Sequence, residues 1–456
     1  MNKLKMKGVL LYLTLCAISS ISLQAESTTA LSGAWRGELR MGNFALPLVF
    51  NFNEAPDGSP TFTLDSPQQN VKGLPLMVNY LSSDSISVSA GNIGATYDAR
   101  IVGSEIDGVF SQRGYNFPLR LIPEEPIDLR RPQTPKPPYP YQMSDTTFTA
   151  SDGIILAGTM TVPPNATENT PVVVMVTGSG PQNRDEEGFE HHPFAVIADY
   201  LARNGIASFR YDDRGVGHSE GNFATSTLTT FETDCESAVK FVRGLKRFGN
   251  VGILGHSEGG TIAMLLAAKH IPDFIVSLAG MAIQGKQTIL DQNRHHMEGM
   301  GLAGNEIEGS IAVIDTVFDE IIRGKPASSI DVNKIAQSMG VTVPTAVMSS
   351  LKQNVAAYTP YFAELIAVDA GAEIKNINCP FLAINGTLDT QVDASKNLGV
   401  IRRAKSKKAV VKELEGLNHL LQHASTGEIA EYSGIRETIA PEVLEIIVDF
   451  IDGISK

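Results

Sequence analysis

The chain has 456 residues, 43% hydrophobic and 19% charged, with 41 Gly and 24 Pro. These ordinary globular proportions exclude wholesale disorder, a collagen repeat and a coiled coil, and the length allows about three domains. With 37 basic against 50 acidic residues the formal net charge is −13, so binding of nucleic acid through its phosphates is not expected.

At the start of the chain, Lys3, Lys5 and Lys7 precede an apolar run from Gly8 to Leu23 that ends in Gln24-Ala25. This is the three-part pattern of a secretory signal peptide over residues 1–25. Thr14, Ser19, Ser20 and Ser22 interrupt the run, which is short for a membrane span. Lipid attachment at Cys16 is disfavoured by the bulky Leu15 before it. Removing the segment takes away three lysines and no acid, which moves the formal charge from −13 to −16. No later segment is long and apolar enough to cross a bilayer. The expectation is an exported protein, periplasmic or secreted, with no stable membrane span after signal removal.

Residues 27–122 follow a period of two, as in Leu46, Leu48, Phe50 and Phe52 and again in Ile86 and Val88. Asp57-Gly58 and Gly91-Asn92 punctuate the pattern, so the segment reads as a small antiparallel β-barrel or sandwich. Nothing in it has the pattern of a reactive site. Pro123, Pro126, Pro132, Pro135, Pro137, Pro138 and Pro140 then mark a stiff, extended linker over residues 123–142.

Beyond the linker, over residues 143–456, strands and helices alternate. Thr147 to Val162 reads as a leading antiparallel pair turning at Asp152-Gly153, and Pro171 to Val176 as a buried strand. A helix over Phe194 to Asn204, a strand over Ile206 to Tyr211 and a helix over Phe231 to Leu245 follow. Next come strand Val251 to Leu254, helix Thr261 to His270 and strand Phe274 to Leu278, with later strands over Phe381 to Asn385 and Ala409 to Leu414. The fold class is α/β, a doubly wound and mostly parallel sheet. Over residues 284–376 helical spacing replaces the alternation, with Ile307, Ile311, Ile314, Phe318 and Ile321 on one face. An insertion of this kind, emerging at a strand's carboxyl end, is expected to be a cap over the site.

The pentapeptide Gly-His-Ser-Glu-Gly occurs at Gly217 to Gly221 and at Gly255 to Gly259. A nucleophile elbow needs a strand running in and a helix running out. Only the second copy has both, so Ser257 is the candidate nucleophile and Ser219 a loop serine. The acid and base should follow the serine in chain order. Asp389 lies on the loop after strand Phe381 to Asn385, whereas its rival Asp393 precedes a helix that it can cap. His419 lies on the loop after the last strand and is preferred to His423. The oxyanion hole should use the backbone N–H of Glu258 and of Ser179, the latter in the loop Thr177-Gly-Ser-Gly-Pro181. His191-His192 and His295-His296 lack carboxylates at metal-ligand spacing, so no metal is expected. Cys16 leaves with the signal. Cys235 and Cys379 make neither a disulfide framework nor a zinc site, and two buried, unpaired thiols are expected, although a bridge between them stays open.

Residues 143–456 resemble the alpha/beta-hydrolase superfamily, and within it the bacterial esterase and serine-aminopeptidase-like branch with a cap after the sixth strand. The motifs that carry the resemblance are Thr177 to Pro181, Asp212-Asp-Arg-Gly-Val-Gly-His-Ser219, Gly255 to Gly259, Gly386-Thr-Leu-Asp389 and Asn418-His419. It implies a serine hydrolase with no cofactor, and it implies that the Asp212 to Ser219 motif is structural. Where such relatives have His-Gly after the first central strand, this chain has Thr177-Gly178. The expected reaction is cleavage of a small carboxylic ester through Ser257, His419 and Asp389. A peptidase using the same triad is the alternative, with Glu306, Glu308, Asp315, Asp319, Glu320 and Glu364 as candidate anchors for an amino terminus. A non-catalytic reading, in which the β-domain binds and the second domain is a scaffold, is disfavoured by the filled triad positions. The oligomeric state is left open.

Overall fold

The computed structural model describes residues 31–455, apart from 42–43, 56–58, 67–68, 70, 113, 124–130 and 405–407. The expected signal peptide, the Asp57-Gly58 turn and the first half of the Pro-rich linker lie outside the described residues. Among the described residues no helix is long and apolar enough to cross a membrane.

The first unit comprises β1 (Gly33–Met41), β2 (Phe44–Glu54), β3 (Pro60–Ser66), β4 (Val71–Leu81), β5 (Ser85–Ala90), β6 (Ala95–Val102), β7 (Glu105–Gln112) and β8 (Tyr115–Pro123). Neighbouring strands pair in sequence order, and β1 closes on β8 through Trp35 with Pro123 and Arg36 with Ile122. Of the two forms open to the sequence, the chain adopts the closed barrel, which leaves no unpaired edge. Alternation explains the inside and outside: β5 buries Ile86, Val88 and Ala90 while its serines face outward. Trp35, Phe50, Phe52, Phe62 and Tyr97 fill the interior. The buried Tyr97 hydroxyl donates to the Leu119 carbonyl at 3.0 Å, so its burial leaves no polar group unsatisfied.

The described part of the linker is strapped to the second unit and is no free spacer. Arg131 is 7% exposed and donates to the carbonyls of Phe189 at 2.7 Å, Ser433 at 2.9 Å and Ile435. Gln133 Nε2 donates to the Ile439 carbonyl at 2.7 Å, and its Oε1 accepts the Thr438 N–H at 2.6 Å.

The second unit contains strands β9 (Gln142–Thr149), β10 (Ile155–Val162), β11 (Val172–Val176), β12 (Ala207–Tyr211), β13 (Val251–His256), β14 (Phe274–Leu278), β15 (Phe381–Gly386) and β16 (Ala409–Leu414). Its helices begin with α1 (Pro193–Arg203), α2 (Leu228–Gly244) and α3 (Glu258–Ala268). The insertion carries α4 (Gly285–Gly299), α5 (Gly304–Ile322), α6 (Val332–Met339), α7 (Thr345–Ala356), α8 (Pro360–Ala367) and α9 (Ala370–Glu373). The last two helices are α10 (Ala394–Arg403) and α11 (Pro441–Ser455). The sheet order is β16-β15-β14-β13-β11-β12-β10-β9. β10 pairs antiparallel with β9 and β12, and the strands from β12 to β16 run parallel. Central strands β11 to β15 are buried along their whole length because helices cover both faces. On β11, Val172, Val174 and Val176 face the layer of α2, α3 and α10, and Val173 and Met175 face α1 and α11.

Two helices begin one turn earlier than their apolar periodicity indicates. Thr227 caps α2 by accepting the Thr230 N–H at 3.2 Å, so α2 starts before Phe231. α3 starts at Glu258, immediately after Ser257 and ahead of the expected Thr261. Chain order reverses between β11 and β13, with β12 on one side and β13 on the other, which opens a crevice at the strands' carboxyl ends. The insertion from α4 to α9 leaves the sheet at that same edge, between β14 and β15. Cys235 is buried as expected, whereas Cys379, just before β15, is half-buried, and both thiols are free.

Candidate active site

A strand that must turn directly into a helix leaves one residue in a conformation that side chains resist. That residue is Ser257, with φ 53° and ψ −117° between β13 and α3. Left-handed backbone costs a non-glycine residue on the order of 1–3 kcal/mol and persists where surrounding structure enforces it. The enforcement here is local: the Ser257 N–H donates to the Leu278 carbonyl at 2.8 Å, and the flanking glycines admit backbone where a Cβ would stand. The other pentapeptide has no such geometry. Ser219 Oγ donates to the Asp212 carbonyl at 2.7 Å and accepts the Ala157 N–H at 2.9 Å, which makes it a loop fastener.

Asp389 follows β15 with its side chain fully buried. One carboxylate oxygen accepts the N–H groups of Gln391 at 2.9 Å and Val392 at 2.8 Å, and the other accepts from His419 Nδ1 at 2.8 Å. With Nδ1 donating, His419 Nε2 is left as the basic nitrogen. Asp393 is occupied elsewhere, accepting the Lys396 N–H at 2.8 Å as the N-cap of α10. His423 is exposed between Glu437 at 2.9 Å and Glu442 at 3.2 Å. The structure therefore joins Asp389 to His419. It brings His419 beside the elbow through His256, whose ring centroid lies 4.9 Å from that of His419. The Ser257 hydroxyl makes no hydrogen bond to His419 here, and such bonds often tighten only around substrate.

The loop after β11 runs against Ser257, since a Cβ on Gly178 would lie 3.3 Å from the Ser257 Cβ. Among the described residues no acceptor takes the N–H of Ser179 or of Glu258. Both are free to point at an anion, and Glu258 adds the amino end of α3.

Four further residues brace this site: His256 and Asp213 lie within motifs the sequence shows, whereas Glu186 and Tyr361 carry no local signal. Glu186 accepts the Gly178 N–H at 2.6 Å and faces His256 Nδ1 at 2.9 Å, while His256 Nε2 donates to the His419 carbonyl at 2.9 Å. The chain Gly178, Glu186, His256, His419 thus ties the loop after β11 to the loop after β16. Burial alone would push the His256 imidazole down, but Glu186 outweighs it and holds the ring up at about 9. Asp213 accepts from the Thr177 hydroxyl at 3.1 Å and the Gln182 N–H at 3.0 Å, and burial pushes its carboxyl up to about 8. One member of the Asp212 to Ser219 motif therefore reaches the site, while Asp212 and Arg214 hold Arg184 and Asp234. The fourth is Tyr361 of α8, whose hydroxyl donates to the Glu258 carboxyl.

Glu258 is 3% exposed, and burial pushes its carboxyl up to about 7 from the ordinary 4.5, a rise that the Tyr361 bond only partly offsets. An acid raised on folding costs nothing below its unfolded pKa, where both states are protonated. As pH climbs toward the folded pKa only the unfolded state ionises, and stability falls. Glu258→Gln should therefore be neutral at pH ~4 and stabilise by about 3 kcal/mol at pH ~8. Urea melts at the two pH values check this, and an equal shift at both would disprove the buried, raised carboxyl.

Among the described residues no cluster of His, Cys, Asp and Glu is arranged to hold a metal. His191 is buried against Thr438 at 3.0 Å and the Tyr432 carbonyl at 3.2 Å, and His295 faces Glu428 at 2.7 Å. The six acids of the insertion that were candidate anchors are engaged locally. Glu306 caps Ala303, Glu308 pairs with Arg294, Asp315 and Asp319 share Lys286, Glu320 pairs with Lys325, and Glu364 accepts the Thr229 N–H.

The profile of the family described as serine aminopeptidase, S33, matches residues 190–425, just over half of the chain. Ser257, Asp389 and His419 all fall inside that match. The chain is also similar to the esterase EstD of Thermotoga maritima, 26% identical over 274 residues, which is 58% of this chain and 58% of that protein. The similar region thus spans less than two thirds of the esterase. Among solved structures, an esterase of Pyrococcus furiosus is 14% identical, with 69% of this chain and 92% of that one covered at a TM-score of 0.44. The alpha/beta hydrolase GrgF of a Penicillium species is 16% identical, with 68% and 98% covered at a TM-score of 0.43.

Proposed function

The chain belongs to the serine aminopeptidase S33 family of alpha/beta hydrolases, and from that premise we propose that it is an exported serine hydrolase of carboxylic esters. Ser257 attacks the ester carbonyl as His419 Nε2 takes its proton, and Asp389 holds the imidazole in the tautomer that makes this possible. The backbone N–H groups of Ser179 and Glu258 receive the negative charge of the tetrahedral intermediate. Its collapse breaks the bond to the alcohol, which leaves with the proton from His419, and an acyl group stays on Ser257. Water then attacks the acyl-enzyme with His419 again as base, releasing the acid and free Ser257.

The observation that carries this reading is the buried 2.8 Å bond from His419 Nδ1 to Asp389, held beside a strained serine. Similarity to EstD supports ester over peptide bonds. So do Glu306, Glu308, Asp315, Asp319, Glu320 and Glu364, each committed to a neighbour, because an aminopeptidase needs an uncommitted carboxylate to hold a substrate ammonium. Near neutral pH the Asp213 carboxyl, pushed up by burial to about 8, is largely uncharged and supplies no such anchor, and the Glu258 carboxyl is held by the Tyr361 hydroxyl. Export rests on the pattern of residues 1–25.

The test assays p-nitrophenyl acetate and butyrate beside aminoacyl p-nitroanilides on one preparation, with fluorophosphonate labelling and with culture fractions assayed separately. We expect ester turnover outside the cytoplasm and labelling that Ser257→Ala abolishes. Efficient anilide cleavage with negligible ester turnover would overturn the ester assignment, and labelling of folded Ser257→Ala would overturn the nucleophile. Activity confined to the cytoplasm would remove export.

A further inference from the structure

Both ring nitrogens of His256 meet oxygens that accept hydrogen bonds. Nδ1 lies 2.9 Å from the Glu186 carboxylate, and Nε2 lies 2.9 Å from the His419 carbonyl. A neutral imidazole carries one N–H and would set a lone pair against one of these oxygens, whereas the imidazolium donates at both ends. The geometry therefore calls for a ring with two protons. The electrostatics agree, since burial pushes the ring down but Glu186 and, more weakly, Asp389 hold it up at about 9.

The oxygen of Glu186 that faces His256 also accepts the Gly178 N–H at 2.6 Å, one residue before Ser179. Glu186 reaches this position from a left-handed backbone, φ 54°, a conformation that costs a side chain and persists where its surroundings enforce it. Among the described residues, the charged and titratable groups facing the ring are Glu186 from the loop after β11, Asp389 from the loop after β15, and His419 from the loop after β16, whose ring centroid is 4.9 Å away. Phe194 and Ile197 of α1, Leu278 of β14 and Leu421 line the remaining space beside it. That space is ≈ 10 Å³, apolar and at the lower limit for a single water, so no water takes over a bond that the ring gives up.

We propose that His256 is a positioning residue whose imidazolium, clasped between Glu186 and the His419 carbonyl, holds the loop of the base and the loop bearing Ser179 in register during turnover. The proposal rests on the serine-hydrolase reading and adds an upper pH limit to it. When the ring loses a proton, the charge of Glu186 keeps the remaining one on Nδ1. Nε2 then presents a lone pair to the His419 carbonyl, and the loop that carries the base is released. Ser257, His419 and Asp389 are untouched by that step, so the loss is one of placement, and a displacement of about 1 Å at reacting groups can cost up to about a hundredfold in rate.

The test follows kcat and KM for p-nitrophenyl butyrate from pH ~6 to pH ~10.5 on the full chain, with circular dichroism at each pH and the ring-nitrogen NMR spectrum of His256. In the wild type, kcat should fall about tenfold between pH ~8 and pH ~10 with the fold unchanged and KM within about twofold. Both ring nitrogens should carry protons at pH ~7.5. Glu186→Gln keeps the shape and removes the charge, so burial pulls the ring below its ordinary 6.5, and the fall should move down by at least about one pH unit. Asp213 also feels Glu186, and burial raises Glu258 as well, so His256→Gln is the deciding variant. It should lower kcat about tenfold near neutral pH and abolish the fall at high pH, because the amide donates at one end only and does not titrate. A fall that persists in His256→Gln belongs to another group and would overturn the proposal. So would a level wild-type rate from pH ~8 to pH ~10, a fall unmoved by Glu186→Gln, or a singly protonated ring at pH ~7.5. The spectrum needs no variant, so it decides the matter even where both variants fail to fold. Failure of the hydrolase reading itself looks different, since labelling and ester turnover would then be absent at every pH while the ring still shows both protons.

Discussion

Asp389→Asn is expected to lower turnover of a p-nitrophenyl ester about 10⁴-fold in a protein that still folds. The asparagine oxygen can keep the N–H groups of Gln391 and Val392 that the carboxylate now accepts. Its NH₂ would then face His419 Nδ1, and the ring would have to accept there and carry its proton on Nε2. A proton on Nε2 leaves nothing to receive the one from Ser257. His419→Ala and Ser257→Ala should cost a similar factor, because the members of such a unit do not contribute additively. Asp393→Ala serves as the contrast, losing about 1 kcal/mol of stability with the cap of α10 and little turnover. Single-substrate kinetics and urea melts on the same preparations check the pair. If Asp393→Asn silenced the enzyme while Asp389→Asn did not, the acid would be misassigned.

The second large effect concerns glycines around the elbow. A Cβ on Gly259 would lie 2.0 Å from the Val176 carbonyl oxygen and 2.6 Å from that of Thr177, and one on Gly255 would lie 2.0 Å from the Gly259 carbonyl oxygen. These neighbours are backbone and cannot rotate away. To admit a methyl group, the end of β11 and the loop bearing Ser179 would have to move off α3, which separates the two oxyanion donors. Gly259→Ala should therefore lose about 3 kcal/mol or more of stability and its fluorophosphonate labelling together. Gly453→Ala is the control, because no atom lies within 4 Å of a Cβ added on that helical residue, and it should gain up to about 1 kcal/mol. Wild-type stability and labelling in Gly259→Ala would show that the close approach is dispensable.

Local pattern was sufficient for much of this molecule. Alternating residues such as Ile86 and Val88 specify a half-buried strand because side chains on a pleated backbone point to opposite faces. The strand entering Gly255 and the helix leaving Glu258 distinguish two identical pentapeptides, because only a strand-to-helix turn lifts the serine clear of the sheet. Asp389 and His419 were legible for the same reason: each occupies the loop at the carboxyl end of a strand, where the sheet presents its side chains together. Asp393 was legible too, as a helix cap, since capping is decided within four residues.

Other features depend on partners that no local pattern relates. Closure of the barrel needs Arg36 to meet Ile122, and neither strand carries a mark of that pairing. Glu186 meets His256 across 70 positions, Tyr361 meets Glu258 across 103, and Arg131 meets Ser433 across 302. Hydrogen bonds at such separations are set by where whole elements dock, so Glu186 and Tyr361 look like ordinary polar residues until the sheet and insertion are in place. The raised carboxyls of Glu258 and Asp213 have the same origin, because desolvation is the collective effect of all the atoms that exclude water. Candidates for a nucleophile, its base and its acid can thus be read along a chain, while the packing that braces them arises only when distant segments meet.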